Sequence, residues 1–227
     1  MSIASGRLPA ADVHSMFDGV APVYDAMNRL TTAGLDGRWR RLAARAAVRP
    51  GDRVLDACCG TGDLALAAEA EGGNVTGLDF AERMLARARR KSTGVDWVQG
   101  DVSALPFSDG SFDAVTIGFG LRNVEDRAHA LQELRRVLRR GGRLAILEIV
   151  RPSGPLSFFY AVWFDRLIPL AGKVLPGGAA YAYLPASVKR FPDANGLDAE
   201  VGAAGFDPVA HRLLGGGIVV LLAGEAA

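Results

Sequence analysis

The chain has little cysteine and little histidine: two cysteines, Cys58 and Cys59, and three histidines in 227 residues. The cysteines are neighbours with no distant partner, so no loop-closing disulfide exists and the usage fits a reducing compartment. Nothing beside them completes a zinc site, which leaves them as small residues at a crowded strand end. A charge bias is also missing. Lys and Arg number 26 against 25 Asp and Glu, a net of +1, without the basic field of a nucleic-acid binder. The arginine clusters at 38–45, 87–91 and 135–140 read as solvated helix faces. Long apolar runs are absent too. The N-terminal stretch has no apolar core of the secretory kind. The most apolar segment, 155–172, is interrupted by Asp165 and Arg166 and falls short of the roughly 20 residues that span a bilayer. These absences predict a cytoplasmic chain, with peripheral contact at the inner face of a membrane left open.

What is present is an alternation. From residue 53 onward short apolar runs (53–58, 74–80, 95–101, 112–120, 143–150) alternate with helix formers (63–71, 81–91, 125–140). The last helix should bury Ala128, Leu131, Leu134, Val137 and Leu138 and stop at Gly141-Gly142. Continuous apolar strands separated by helices predict a parallel sheet covered on both faces. Residues 206–224 are two apolar runs joined by Gly215-Gly216-Gly217, a β-hairpin signal. The expected fold is α/β: a doubly wound, Rossmann-like sheet of five parallel strands ending in an antiparallel hairpin. We read one domain over 1–227, with an N-terminal helical arm or lid (1–50), a cofactor-binding core (51–150), a helical insertion (151–204) and the hairpin (205–227).

The first strand ends in Leu-Asp-Ala-Cys-Cys-Gly-Thr-Gly-Asp, residues 55–63. Gly60 to Ala65 fits G-x-G-x-x-A, a dinucleotide fingerprint that is weak alone. The second strand ends at Asp79 and the third at Asp101, so three consecutive strands deliver an acid to the rim where ligands of open α/β sheets bind. Any one of these acids could simply cap a helix. A pyrophosphate beside Asp56 and Asp63 would meet like charge. S-adenosylmethionine carries a sulfonium and an ammonium together with a ribose diol and an adenine, and suits the acids. Asp56, Gly60, Thr61, Gly62, Asp79, Asp101, Val102 and Gly118 are the candidate cofactor residues. Asp79 would accept from the ribose hydroxyls and Asp101 from the adenine amine. A nicotinamide-dependent oxidoreductase is the first rival, and a fold that holds the cofactor without catalysis is the second.

With these residues in place, the chain resembles the ubiquinone/menaquinone biosynthesis C-methyltransferases, a class I S-adenosylmethionine-dependent family. The resemblance rests on residues 16–28 and 34–40, on VLDACCGTGD and GLDFAERML, on FGLRNV within 104–126, on 136–148 and 183–193, and on the hairpin. It implies C-methylation of a demethylated polyprenyl quinol, with demethylmenaquinol favoured over a ubiquinone precursor or another small phenol. Three positions depart from the family pattern: Gly118 stands where many members have Ser, Leu222 where His is frequent, and Asp36 where a His is common. A phenol titrates near pH ~10, so the site must help ionise the quinol. Arg122 should stabilise the phenolate, unless it forms an ion pair with Glu125 or Asp126, and Asn123 should orient the second oxygen. Tyr24, Asp25, Met27 and Asn28 are the substrate or lid residues, with ordinary packing as their alternative. No metal is called for, and whether the chain forms a homodimer is left open. The aromatic run from Phe158 to Ile168 reads as core, or as a tunnel or membrane contact for the isoprenoid tail.

Overall fold

The computed structural model describes residues 10–152 and 178–227. The aromatic run of 158–168 and the most apolar segment, 155–172, lie outside them. Seven strands form one sheet: β1 (Arg53–Ala57), β2 (Asn74–Asp79), β3 (Asp96–Gln99), β4 (Phe112–Gly118), β5 (Leu138–Ile149), β6 (Phe206–Leu214) and β7 (Val219–Ala226). Their order is β3-β2-β1-β4-β5-β7-β6. The first five pair in parallel, and β7 pairs antiparallel with both β5 and β6. The expected fold is therefore present, hairpin included. Strand order reverses between β1 and β4, which places the ligand crevice at their carboxyl ends.

The described helices are α1 (Ala10–Val20), α2 (Tyr24–Thr31), α3 (Leu35–Ala47), α4 (Asp63–Ala70), α5 (Glu82–Ala88), α6 (Arg127–Val137), α7 (Gly178–Arg190) and α8 (Ala194–Ala203). Alternation along the strands sorts the core into two layers. Leu55, Val115, Ile117, Leu144, Ile146, Val220 and Leu222 pack with Leu131, Leu134, Leu197 and Val201 of α6 and α8. Val54, Ala114, Ala145, Leu147 and Leu221 pack with Ala43, Ala44 and Ala47 of α3 and Leu64 and Ala65 of α4. Alanines on both sides of that second layer let α3 lie close to the sheet.

Two local expectations are corrected. The buried stripe of α6 is Ala130, Leu131, Leu134 and Val137, whereas Ala128 faces solvent. The helix also ends before the glycine pair: Leu138 already sits opposite Phe112, and the register of β4 on β5 shifts between Phe112 and Ala114. Gly141, at φ +68°, makes the bulge that this shift requires. The chain leaves the helix early because Leu138 is buried in the sheet layer.

Candidate active site

At the carboxyl ends of the strands lies a cavity of about 470 Å³. Its floor is Cys58 and Gly60 after β1, Asp79 and Phe80 at the end of β2, Asp101 to Ser103 after β3, and Gly118 to Gly120 at the end of β4. Asn123 to Asp126 form one end, and Val13, His14, Phe17 and Tyr24 of α1 and α2 lie over it. Four carboxylates (Asp79, Asp101, Glu125, Asp126) and no lysine or arginine are among the described residues that line it.

The glycine turn is shaped by its neighbours. Gly62 has φ +86°, and a Cβ there would stand 2.5 Å from the Trp97 ring. Both the left-handed backbone and the indole therefore require glycine. Beside the cavity, two residues adopt left-handed backbone without being glycine: Cys58 at φ 52° and Phe119 at φ 59°. They terminate the two strands that flank the switch point, where strained backbone commonly marks function. The Arg40 guanidinium lies 5.4 Å from the Phe119 ring centroid and is paired with Asp36 in the interior.

Asp79 and Asp101 reach the cavity. The Asp79 carboxylate accepts the Gly60 and Ala81 N–H groups, each at 2.8 Å. Burial raises its pKa, offset in part by those two donors. Asp101 is exposed and accepts the Ser103 N–H at 2.8 Å. Val102, Gly118, Gly60, Tyr24 and Asn123 also line the wall. A Cβ on Gly118 would stand 2.9 Å from Leu64 Cδ2, so the leucine occupies the room that a serine would take.

The other acids of the turn lie elsewhere. Asp56 shares the parity of Val54, so it points into the α3/α4 layer and is completely buried. It accepts the Thr116 hydroxyl at 2.8 Å. Burial pushes its pKa up to about 7, against the lowering effects of Thr116 and Arg40. Asp63 is neutralised by Lys91 at 2.6 Å, and the same ammonium holds Asp25 at 2.8 Å. Thr61 donates its hydroxyl to Asp25 at 2.5 Å. Burial alone would raise Asp25, but the Lys91 and Thr61 bonds bring it below its ordinary value. Thr61 and Asp25 thus fasten α2 to the glycine turn. Met27 and Asn28 of the same helix give backbone carbonyls to the Thr31 and Thr32 hydroxyls and are not among the residues lining the cavity.

Arg122 forms its ion pair with Glu148 at 2.7 Å rather than with Glu125 or Asp126. Its Nη1 also donates to the Phe119 carbonyl at 2.5 Å, and its backbone N–H donates to Glu148 at 3.1 Å. Burial disfavours its charge, but Glu148, with Tyr24 and Tyr183 nearby, raises its pKa overall. The guanidinium therefore ties the Phe119–Asn123 turn to β5. Asn123 donates Nδ2 to the Phe119 carbonyl at 3.3 Å, while its Oδ1 is buried with no partner. Of the departures from the family pattern, Asp36 is buried against Arg40 and Leu222 lies in the α6/α8 layer.

Sequence reasoning missed Glu148, His14, Phe80, Lys91 and Phe119. Glu148 had a signal, since an acid inside an apolar strand demands a buried partner. His14 lies with its ring centroid 5.4 Å from that of Phe80, a contact that only the tertiary fold creates.

Residues 6–225 match the ubiE/COQ5 methyltransferase family. A demethylmenaquinone methyltransferase of Thermus thermophilus is 47% identical over 219 residues, covering 92% of this chain and 99% of the relative. A 2-phytyl-1,4-naphtoquinone methyltransferase of Synechococcus elongatus is 42% identical over 225 residues, covering 94% and 97%. A ubiquinone/menaquinone biosynthesis C-methyltransferase UbiE of Geotalea uraniireducens is 38% identical over 224 residues, covering 94% and 95%. Among solved structures, a SAM-dependent methyltransferase of Thermotoga maritima is similar in fold, with a TM-score of 0.65 at 22% identity over 93% of this chain and all of the other. By these matches the chain belongs to the ubiE/COQ5 methyltransferase family.

Proposed function

We propose that this enzyme transfers a methyl group from S-adenosylmethionine to a ring carbon of a demethylated polyprenyl quinol, with demethylmenaquinol as the substrate. The observation that carries the donor is the cavity wall, with four carboxylates and no lysine or arginine among its described residues. Such a wall favours a cationic ligand and disfavours a phosphorylated one. This also weighs against the nicotinamide reading. The volume lies within the usual range for a ligand of this size. Asp79 and Asp101 hold the ribose and adenine in this reading, with the Gly60 and Gly118 backbone along the amino-acid part and Phe80 and Val102 against the base. Asp56, Thr61 and Gly62 act on the turn from behind. When bound, the donor supplies an electrophilic methyl on a sulfonium.

The ring end is carried by Asn123. Its buried, partnerless Oδ1 calls for a donor, and a quinol hydroxyl is one. Arg122 acts through the turn in this proposal: it pins the Phe119 carbonyl and Glu148 together and so fixes Asn123 at the wall. Tyr24 stands close to Arg122 from α2 and closes the cavity over the ring. Excluding water there favours the meeting of a phenolate with a cation, because charge is lost along the reaction path.

The naphthoquinol ring is supported by the names of two relatives, which describe naphthoquinone chemistry. UbiE-named relatives at 38–41% identity keep a benzoquinol as the second reading. The test supplies purified protein with methyl-labelled S-adenosylmethionine and short-chain, chemically reduced demethylated naphthoquinol or benzoquinol. Label on the naphthoquinol ring carbon is expected. Label on the benzoquinol alone would change the substrate, and label on neither would overturn the proposal.

A further inference from the structure

We propose that the α2–α3 corner docks the enzyme on an anionic lipid bilayer. Three large apolar side chains are strongly exposed among the described residues, and two of them, Leu30 (70%) and Leu35 (44%), flank this corner. Around them the charge is one-sided. Residues 26–50 carry Arg29, Arg38, Arg40, Arg41, Arg45 and Arg49 against a single acid, Asp36. Asp36 and Arg40 neutralise each other in the interior, and Arg45 is paired with Glu71 at 2.9 Å. Arg29, Arg38 and Arg41 are exposed and form no ion pair with a described carboxylate. On α3, Leu35, Arg38, Arg41 and Arg45 follow one another at helical spacing and share the solvent face. Small or neutral residues, Thr31 to Gly34, fill the turn between the leucines.

Exposed leucines ringed by unpaired arginines match a bilayer, which sets anionic headgroups above hydrocarbon. A polyanion such as RNA would leave the leucines in water. The corner is also well placed for the chemistry proposed above, on which this part of the argument rests. Tyr24 lines the cavity at the start of α2, and Leu30 lies six residues further along, about 9 Å of helical rise. A quinol ring in the cavity could therefore keep its tail in the lipid beneath the corner.

Flotation of the full chain with vesicles tests this. Wild type is expected to bind equimolar phosphatidylcholine and phosphatidylglycerol, to bind phosphatidylcholine alone far less, and to lose affinity as salt is raised. Arg29→Gln with Arg38→Gln and Arg41→Gln should lower the partition coefficient about 100-fold, roughly fivefold per arginine. Leu30→Ser with Leu35→Ser should lower it about tenfold through lost apolar insertion. A control that removes the same charge from scattered exposed positions, Arg90→Gln with Arg140→Gln and Arg212→Gln, should stay within about twofold of wild type, since attraction fades beyond a Debye length. Equal loss in the control, unchanged binding by the corner variants, or binding to polyuridylate without binding to vesicles would each overturn the proposal. Turnover of a water-soluble short-chain quinol, measured on the same proteins, keeps the two readings apart. Its absence in wild type counts against the quinol reading, while flotation still decides the docking.

Discussion

Replacing Asp56 with Asn tests the buried electrostatics most directly. In the unfolded chain this carboxyl titrates near its ordinary 3.8, and in the folded protein burial holds it at about 7. Below pH ~4 it is protonated in both states and has no pH-dependent effect. Between the two values the folded protein keeps a proton that the unfolded chain releases. Stability therefore falls as pH rises through this window and levels off above about 7. At ~1.4 kcal/mol per unit, a rise of about three units withholds ~4 kcal/mol at alkaline pH. The amide in Asp56→Asn cannot ionise, so the variant escapes that loss while its carbonyl oxygen still accepts the Thr116 hydroxyl. Urea midpoints at pH 5 and pH 8 give the measurement. The stability of Asp56→Asn relative to wild type should improve by ~2–3 kcal/mol from the lower pH to the higher. Asp79, also raised by burial, is common to both proteins, and only its weaker Coulomb coupling to Asp56 enters the difference. Parallel pH curves for the two proteins would refute the reasoning and place an ionised, compensated carboxylate beneath the turn.

The remaining predictions concern the cavity and its supports. Asn123→Ala removes the partnerless acceptor and should lower kcat/KM for the quinol about tenfold, with donor affinity in equilibrium titration unchanged. Gly62→Ala meets both a left-handed backbone and the Trp97 ring, and should cost ~3 kcal/mol in denaturant melts as well as most of the donor affinity. Glu148→Leu leaves Arg122 charged and buried, which should cost ~3–5 kcal/mol. The pair Arg122→Met with Glu148→Leu should regain most of that stability and still turn over poorly, because nothing then pins Asn123. Lys91→Met frees two carboxylates at once, and should speed amide hydrogen exchange in α2 and raise KM for the donor by about tenfold.

The sheet was legible because its strands are short apolar runs closed by turns, and the hairpin because three glycines separate two such runs. The end of α6 was not, since glycine stops a helix and also permits a bulge, and only the burial of Leu138 opposite Phe112 decides between them. The cavity residues that strand ends deliver, Gly60, Asp79, Asp101, Val102 and Gly118, could be placed from the alternation of strands and helices. The position of Asp56 could have been worked out as well: it stands two residues after inward-facing Val54 on a strand whose side chains alternate. Its depth was obscured by the expectation that acids at strand ends face the ligand. The Arg122–Glu148 pair was out of reach of local spacing, since 26 residues separate the partners. The cover formed by α1 and α2 depends on side chains such as His14 and Phe17, whose neighbours are set by tertiary packing alone.

Lys91 joins two parts of the fold that the chain keeps apart. A single ammonium bridges residues 25 and 63, far apart in the chain, and sits just beyond the C-terminal end of α5. Moving α2 away from the turn would break the Asp25 half of this cluster and leave Lys91 on Asp63 alone. Helix and turn are thus coupled through one shared cation, and raising the ionic strength should loosen the two together.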